Sequence, residues 1–219
     1  EGEQRVGLLP CAFGGSELAR WAPAGGDLFA AAVERVRQGA AAGGVLSGVL
    51  WHQGESDSGS EADAASYPER MRAVVSELRA QSGALGVPFI LGELGVHFLD
   101  MEGDERFRFA LQVNRAIAEV AASSDSNVSV VSARGLSHRG DRLHFASAAA
   151  DELGRRYARC WLRLTGRACE PPGGPSEDPA LLSAGGGEEM AEAAQGSWNA
   201  GGGSCEAQSS VPTSAAELS

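Results

Sequence analysis

The chain has 219 residues and a formal net charge of −11, from 29 acidic and 18 basic side chains. Eight of the acidic residues and none of the basic ones lie in residues 170–219, so residues 1–169 have a net charge of only −3. This balance argues against nucleic acid as a partner. No apolar run approaches the ~20 residues of a membrane span, so we expect no membrane partner either.

Short apolar runs alternate with segments of helical periodicity along most of the chain. Strands are predicted at residues 5–12, 45–51, 87–94 and 127–133, and helices at residues 27–37, 64–81, 105–122 and 147–164. Asp27 is expected to cap the first helix. Strict alternation of buried strands with helices is typical of a parallel sheet covered by helices on both faces. The predicted fold class is therefore α/β.

The composition of the chain changes near residue 166. Residues 166–219 contain "PPGGP" and two "GGG" runs, with few periodic apolar residues. Such a segment cannot bury enough surface to offset its ordering entropy. We expect residues 1–165 to form one domain and residues 166–219 an acidic, disordered tail. The cysteines have neither metal-type spacing nor the pattern of a disulfide framework, and nothing indicates a compartment.

Three polar loops follow predicted strands, at residues 14–16, 52–57 and 141–144. In parallel α/β sheets, ligands bind beyond the carboxyl ends of the strands. Because all three loops lie at such ends, we expect them to converge on one edge of the sheet and to form the functional site there.

The segment "DRLHF" places Asp141 three residues before His144, just ahead of the last predicted helix. In a loop, a carboxylate at this spacing can accept a hydrogen bond from the imidazole Nδ1–H and leave Nε2 as a general base. The alternative is that Asp141 is a turn residue and His144 only a neighbour of the helix start.

Two other loops offer hydrogen-bond donors for a developing oxyanion. A backbone N–H of Gly14 or Gly15 could serve, because glycine lets a ligand approach the main chain closely. The side-chain amide of Gln53 could be a second donor. A flexible turn at the glycines and an exposed loop glutamine are the alternatives.

Two further interpretations concern the loop at residues 52–57. "GESDSG" partly matches the Gly-x-Ser-x-Gly nucleophile elbow, with Ser56 as the nucleophile, although the following helix begins several residues too late. Four side chains could instead bind a metal ion: His52, Glu55, Asp57 and His144. This interpretation is disfavoured, because their spacing is not a metal-site signature. His97 and His138 are expected to be surface loop histidines.

Three segments together resemble the carbohydrate acetylesterase branch of the SGNH hydrolases, which includes sialate O-acetylesterase-like and plant-type carbohydrate esterases. The segments are "GLLPCAFGGSELARWAP", "GVLWHQGESD" and "GLSHRGDRLHF". The Trp-x-Gln-Gly-Glu-Ser-Asp block followed by the Asp-x-x-His-Phe block is a specific combination, and the resemblance covers about residues 5–164.

The resemblance implies a three-layer α/β/α, flavodoxin-like fold and a serine-esterase mechanism, without metal or cofactor, on O-acetylated carbohydrates. It makes His144 the base and Asp141 the residue that orients it. Gln53 would be the side-chain donor of the oxyanion hole, and His52 would lie in the same substrate-binding loop. Gly14 or Gly15 would provide the main-chain donor.

The family's nucleophilic serine lies in a Gly-Gln-Ser-Asn type block on its first strand, and these 219 residues contain no such block. We therefore expect the serine to lie upstream of this chain. We also expect the central strand of the sheet to be missing from it. The chain by itself should be only marginally stable and catalytically inactive. The alternative is a non-catalytic, sugar-binding remnant, in which Trp21 or Trp51 stacks on a sugar ring rather than packing in the core.

Overall fold

The computed structural model describes residues 6–95, 97, 105–123 and 127–167. Its sheet has three parallel strands in the order β1-β2-β3, where β1 is Val49–Trp51, β2 is Phe89–Gly92 and β3 is Val128–Val131. Four helices accompany the strands: α1 (Asp27–Ala41), α2 (Glu61–Gln81), α3 (Ala110–Ala121) and α4 (Ser147–Leu164). None of the described helices is both long and apolar enough to cross a membrane.

The two faces of the sheet bury different helices. Phe89 and Leu91 of β2 belong to the larger core, which contains apolar side chains of α1, α2 and α3. Ile90, between them, belongs to a smaller core with Leu153 and Tyr157 of α4. Because successive side chains of a strand point to opposite faces, helices cover both faces. The predicted α/β class is confirmed.

The strand predicted at residues 5–12 is wrong: residues 6–12 have no regular secondary structure. Val6 and Leu8 are 87% and 83% exposed. The segment contacts α1 instead, where Arg35 donates a hydrogen bond to the Pro10 carbonyl oxygen. An apolar run becomes a strand only beside a strand that pairs with it, and within the described residues none does so here.

The outer edge of β1 has no pairing strand in the described part of the chain. Leu50 at this edge is 57% exposed. The indole Nε1 of Trp51 is buried without a hydrogen-bond partner among the described residues. A buried donor without an acceptor is uncommon in folded proteins, and this side of β1 has no pairing strand among the described residues.

The N-cap of α1 and the starts of α2 and α3 differ from their predictions, and α2 begins at Glu61 instead of near residue 64. Gly26, not Asp27, is the N-cap of α1, and the Asp27 carboxylate instead accepts hydrogen bonds from Arg20 at 3.0 and 2.5 Å. The helix predicted from residue 105 begins as a short 3₁₀ turn, Glu105–Phe107. It becomes α-helical only at Ala110, because the Phe109 N–H donates to the Ser58 carbonyl oxygen at 2.8 Å.

The chain divides into two units, Glu1–Glu170 and Pro171–Ser219. All described residues belong to the first unit. Most of the predicted tail, from residue 168 onward, lies outside the described residues, and so do Cys169 and Cys205. The other two cysteines, Cys11 and Cys160, are free thiols.

Candidate active site

The segment that follows β1, residues 52–57, is called the β1 loop. Its last residue, Asp57, has a fully buried side chain that accepts the Leu18 N–H at 2.9 Å and the Gln53 amide at 2.6 Å. Arg70 of α2 lies 3.5 Å from the same carboxylate. Burial raises the pKa of Asp57, and the hydrogen bonds from Gln53 and Leu18 oppose that rise. Asp57 therefore joins the β1 loop to two other parts of the fold.

Gln53, the predicted oxyanion donor, is buried and fully hydrogen-bonded. Its amide nitrogen donates to the Ser16 carbonyl oxygen at 2.9 Å and to Asp57 at 2.6 Å. Its amide oxygen accepts from the Tyr67 hydroxyl at 3.1 Å. Since a side-chain amide has two N–H groups, both donors of Gln53 are engaged in this structure. Its oxyanion role stays a prediction that requires one of these bonds to be released.

Both tyrosines of the chain support the end of β1, and they come from opposite layers. Tyr67 of α2 donates to the Gln53 carbonyl oxygen at 2.9 Å, and Tyr157 of α4 donates to that of Trp51 at 2.7 Å. Burial raises the pKa of both phenols far above the ordinary value. They therefore act as neutral donors that fix where β1 ends.

The segment between β3 and α4 carries the other predicted residues, and residues 137–146 of it are called the dyad loop. The His144 Nδ1 lies 2.8 Å from Asp141 Oδ2. Asp141 Oδ1 accepts the backbone N–H groups of Leu143 and His144 at 3.0 and 2.9 Å. The His144 side chain is 58% exposed, and its Nε2 makes no hydrogen bond with any described residue. The structure therefore pairs Asp141 with His144 as predicted.

Arg139 is a further contact of this pair that the sequence reading missed. Its Nε donates to Asp141 Oδ2 at 2.7 Å, and its Nη2 lies 3.1 Å from His144 Nδ1. Hydrogen bonds from His144, from the two backbone N–H groups and from Arg139 together hold the pKa of Asp141 far below its ordinary value. Asp141 is therefore a stable carboxylate, although Arg139 and His144 share one of its oxygens.

The β1 loop and the dyad loop meet through aromatic rings. His52 stands edge-on to Phe145, with ring centroids 5.5 Å apart, and His52 Nδ1 lies 3.5 Å from the Tyr157 hydroxyl. Partial burial lowers the pKa of His52, while Glu55 acts in the opposite direction. A Cβ at Gly92 would collide with the Tyr157 hydroxyl and the His52 imidazole, so the end of β2 requires glycine here.

His97 differs from its prediction as a surface residue. It is only 9% exposed, and its Nε2 lies 3.2 Å from the Leu143 carbonyl oxygen. Its ring packs against His138 and Phe145 at centroid distances of 5.2 and 5.6 Å. The prediction failed because this burial arises from contacts with the dyad loop, more than 40 residues away, and no local pattern signals it.

The predicted glycine turn lies beside the β1 loop. Gly14 and Gly15 are exposed, and Gly15 has a positive φ of 67°. Neither N–H is hydrogen-bonded within the described residues, so both are open donors. Ser16 is tied down: its hydroxyl accepts the Trp21 indole N–H at 3.0 Å, and its carbonyl oxygen accepts from Gln53. All three predicted loops therefore lie in one contiguous region.

The alternative interpretations find little support. Ser56 has ordinary right-handed helical angles, φ −68° and ψ −33°, whereas a nucleophile elbow holds its serine in a sharp, strained turn. Trp21 and Trp51 are each 6% exposed and pack edge to face, with centroids 5.1 Å apart. They are core residues in this structure and not stacking platforms for a sugar. Among the described residues, no cluster of His, Cys, Asp and Glu has metal-binding geometry.

An Asp–His pair at the carboxyl end of a strand in a parallel α/β sheet is typical of triad hydrolases. Comparisons with known proteins indicate the same class. The model of the carbohydrate esterase, sialic acid-specific acetylesterase family matches residues 1–163. The chain is 31% identical over 159 residues to a probable carbohydrate esterase of Arabidopsis thaliana, with 72% of this chain and 55% of that protein covered.

The X-ray structure of that Arabidopsis thaliana protein is also similar, with a TM-score of 0.61 at 30% identity, covering 70% of this chain and 59% of the other. The chain therefore spans little more than half the length of the curated relative that it matches. It belongs to the carbohydrate esterase, sialic acid-specific acetylesterase family.

Proposed function

We propose that this chain provides the base of an esterase that removes O-acetyl groups from carbohydrates, with His144 as the base and Asp141 as its orienting carboxylate. The single observation that supports this most strongly is the 2.8 Å contact between Asp141 Oδ2 and His144 Nδ1. It leaves Nε2 on an exposed ring free to accept a proton. Family membership supports an ester as the substrate. That the ester is an O-acetyl group on a sugar is the more specific part of this proposal.

The nucleophile in this proposal is a serine outside these 219 residues. Among the described residues, the His144 Nδ1–H donates to Asp141 and Arg139 lies close by, but no serine hydrogen-bonds to this imidazole. The edge of β1, which has an exposed Leu50 and no pairing strand among the described residues, is compatible with a further strand at this position. That strand would complete the sheet and carry the serine.

The chemistry follows from these roles. His144 Nε2 removes the proton of the serine Oγ while Oγ attacks the acetyl carbonyl carbon, and Asp141 stabilises the imidazolium that results. The tetrahedral intermediate collapses when the sugar oxygen leaves with the proton from Nε2, which forms an acetyl-serine. Water activated by the same nitrogen then releases acetate and restores the serine.

The oxyanion of each tetrahedral intermediate needs donors aimed at it. The N–H groups of Gly14 and Gly15 are the better candidates, because they are exposed and unbonded within the described residues. Gln53 would contribute only after releasing Asp57 or the Ser16 carbonyl oxygen. We therefore assign the main-chain donor to the glycine turn and keep Gln53 as a conditional second donor.

Hydrolysis of p-nitrophenyl acetate and of an acetylated sugar tests the proposal. The protein expressed with its natural coding sequence upstream of Glu1 should turn over these esters, and His144→Ala should lower the rate by at least ~10². Asp27→Asn is the matched control, because Asp27 is another exposed carboxylate paired with an arginine, and its activity should be unchanged. Unchanged activity in His144→Ala would refute the assignment.

Residues 1–219 alone provide the complementary assay. Without a serine beside His144, the acyl-enzyme route is closed, and we expect no turnover in the usual enzymatic range of ~1–10³ s⁻¹. Turnover in that range would mean that a nucleophile lies within the chain, and Ser56 would be the first residue to test.

A further inference from the structure

The dyad loop also contains a histidine, His138, that the proposed reaction does not use. His138 Nδ1 accepts two backbone N–H groups, that of Gly140 at 3.0 Å and that of Arg142 at 3.1 Å. These residues directly flank Asp141 in the sequence. His138 therefore bonds to the main chain on both sides of the carboxylate that orients His144.

Both flanking residues have positive φ angles, which glycine adopts readily but which are strained for Arg142. Gly140 has a φ of 112° and Arg142 a φ of 58°. A positive φ is unfavourable for a residue with a side chain, and the surroundings must maintain it. Because each of these residues donates its N–H to His138, the imidazole stabilises the turn that directs Asp141 toward His144.

The ends of the loop and the ring of His138 are themselves held. His138 and Phe145 form an isolated antiparallel bridge. The Arg139 N–H donates to the His144 carbonyl oxygen at 2.9 Å, and Ala146 likewise donates to Ser137. The His97 ring packs on His138 at 5.2 Å. His138 is thus a fixed acceptor inside a closed loop.

We infer that His138 is a positioning residue for the Asp141–His144 pair, acting as the hydrogen-bond acceptor that holds the main chain on both sides of Asp141. Two N–H groups directed at Nδ1 require that nitrogen to be unprotonated, so the active form of His138 carries its proton on Nε2. The inference rests on the proposed function, because it concerns the same pair. Its test reads the geometry of the pair and does not depend on ester hydrolysis.

The test compares His138→Phe, which keeps a ring beside His97 but removes the acceptor, with His138→Asn, whose side-chain oxygen can accept the same N–H groups. The readout is the pair of imidazole ¹⁵N chemical shifts of His144, recorded for the three proteins at the same pH of about 8. A bond to Asp141 fixes the proton of His144 on Nδ1. A free imidazole instead distributes that proton between its two nitrogens.

We expect the unmodified chain and His138→Asn to show the Nδ1–H form of His144, and His138→Phe to lose it. In the unmodified chain, the Gly140 and Arg142 amide protons should exchange at least ~10-fold more slowly than unprotected amides. Rapid exchange of these amides would overturn the inference even if a variant failed to fold. An unchanged His144 spectrum in His138→Phe, or equal disturbance in His138→Asn, would also overturn it. Failure of the ester assay with these spectra as expected would refute the proposed function alone.

Discussion

The β1 loop and the dyad loop form the two halves of the candidate site, and different parts of the molecule hold them in place. The β1 loop is mostly buried and is tied to α2 and to the segment at Ser16–Leu18 through Gln53, Asp57 and Tyr67, while Tyr157 of α4 holds the adjacent end of β1. The dyad loop is exposed and mostly bonded to itself, within residues 137–146. Substitutions in the first loop should therefore affect stability, and those in the second mainly the state of the Asp141–His144 pair.

The largest effect is expected for Asp57→Ala in the β1 loop. The change leaves the Leu18 N–H and the Gln53 amide without their acceptor inside the protein. The free energy of unfolding should fall by about 3 kcal/mol or more, measured by urea denaturation. Asp63→Ala is the matched control, because Asp63 contacts the same Arg70 but is 49% exposed, and it should cost less than about 1 kcal/mol. Equal losses of unfolding free energy in the two variants would contradict the role of Asp57 in joining the β1 loop to the rest of the fold.

The two tyrosines allow a finer comparison within the same region. Tyr67→Phe removes a donor shared by the Gln53 carbonyl and amide oxygens, whereas Tyr157→Phe removes the bond to the Trp51 carbonyl oxygen. Each should cost about 1–2 kcal/mol of unfolding free energy, and Tyr67→Phe should cost more because it leaves two acceptors unsatisfied. Thermal and urea unfolding of both variants measure the difference. The reverse order would mean that the α4 side holds the β1 loop more strongly.

The two loops should also respond to pH in opposite directions. Burial raises the pKa of Asp57 above 3.8, so the folded state binds this proton more tightly than the unfolded chain, and ionisation of Asp57 lowers stability as pH rises through the raised pKa. Hydrogen bonds from His144 and the loop lower the pKa of Asp141, so its contribution is present above 3.8 and is lost as pH falls toward the lowered pKa. Side-chain carboxyl ¹³C shifts followed from about pH 2 to about pH 7 separate the two. If the pKa values of Asp57 and Asp141 were both above 3.8 or both below it, the predicted contrast between the two loops would be wrong.

The smallest effect is expected for Arg139→Ala. Arg139 shares Asp141 Oδ2 with His144, but its side chain is 61% exposed and its pairing is screened by solvent. The pKa of Asp141 should rise slightly in this variant and clearly more in His144→Ala, since the bond from His144 is the main cause of the low value. Carboxyl ¹³C titration of both variants makes the comparison. A larger rise in Arg139→Ala would make Arg139 the dominant partner of Asp141.

The sequence predicted the Asp141–His144 pair because that contact is local. Three residues separate the two side chains, and the bond closes within the loop that contains both. Three of the four strands and all four helices were found for a similar reason, since periodicity reports which side chains a continuous segment buries. The observed bounds differ from the predicted ones where a residue distant in sequence makes a contact. At the start of α3, for example, the Ser58 carbonyl oxygen accepts the Phe109 N–H.

Other features depend on contacts between distant segments, and the sequence could not predict them. The apolar run at residues 6–12 needed a neighbouring strand to become a strand itself, and its composition carried no information about that neighbour. The state of Gln53 depends on Ser16 and Asp57, which packing brings to its amide. The support of the dyad loop by His97 and His138 likewise depends on the burial of His97.

The central claim is that His144 and Asp141 serve a serine outside these 219 residues. The most direct test is fluorophosphonate labelling of the protein expressed with its natural upstream sequence, followed by peptide mapping of the labelled site. The account predicts a label on a serine upstream of Glu1, abolished or strongly slowed by His144→Ala. A label on Ser56 or on any other serine within the chain, or a label insensitive to His144→Ala, would contradict it.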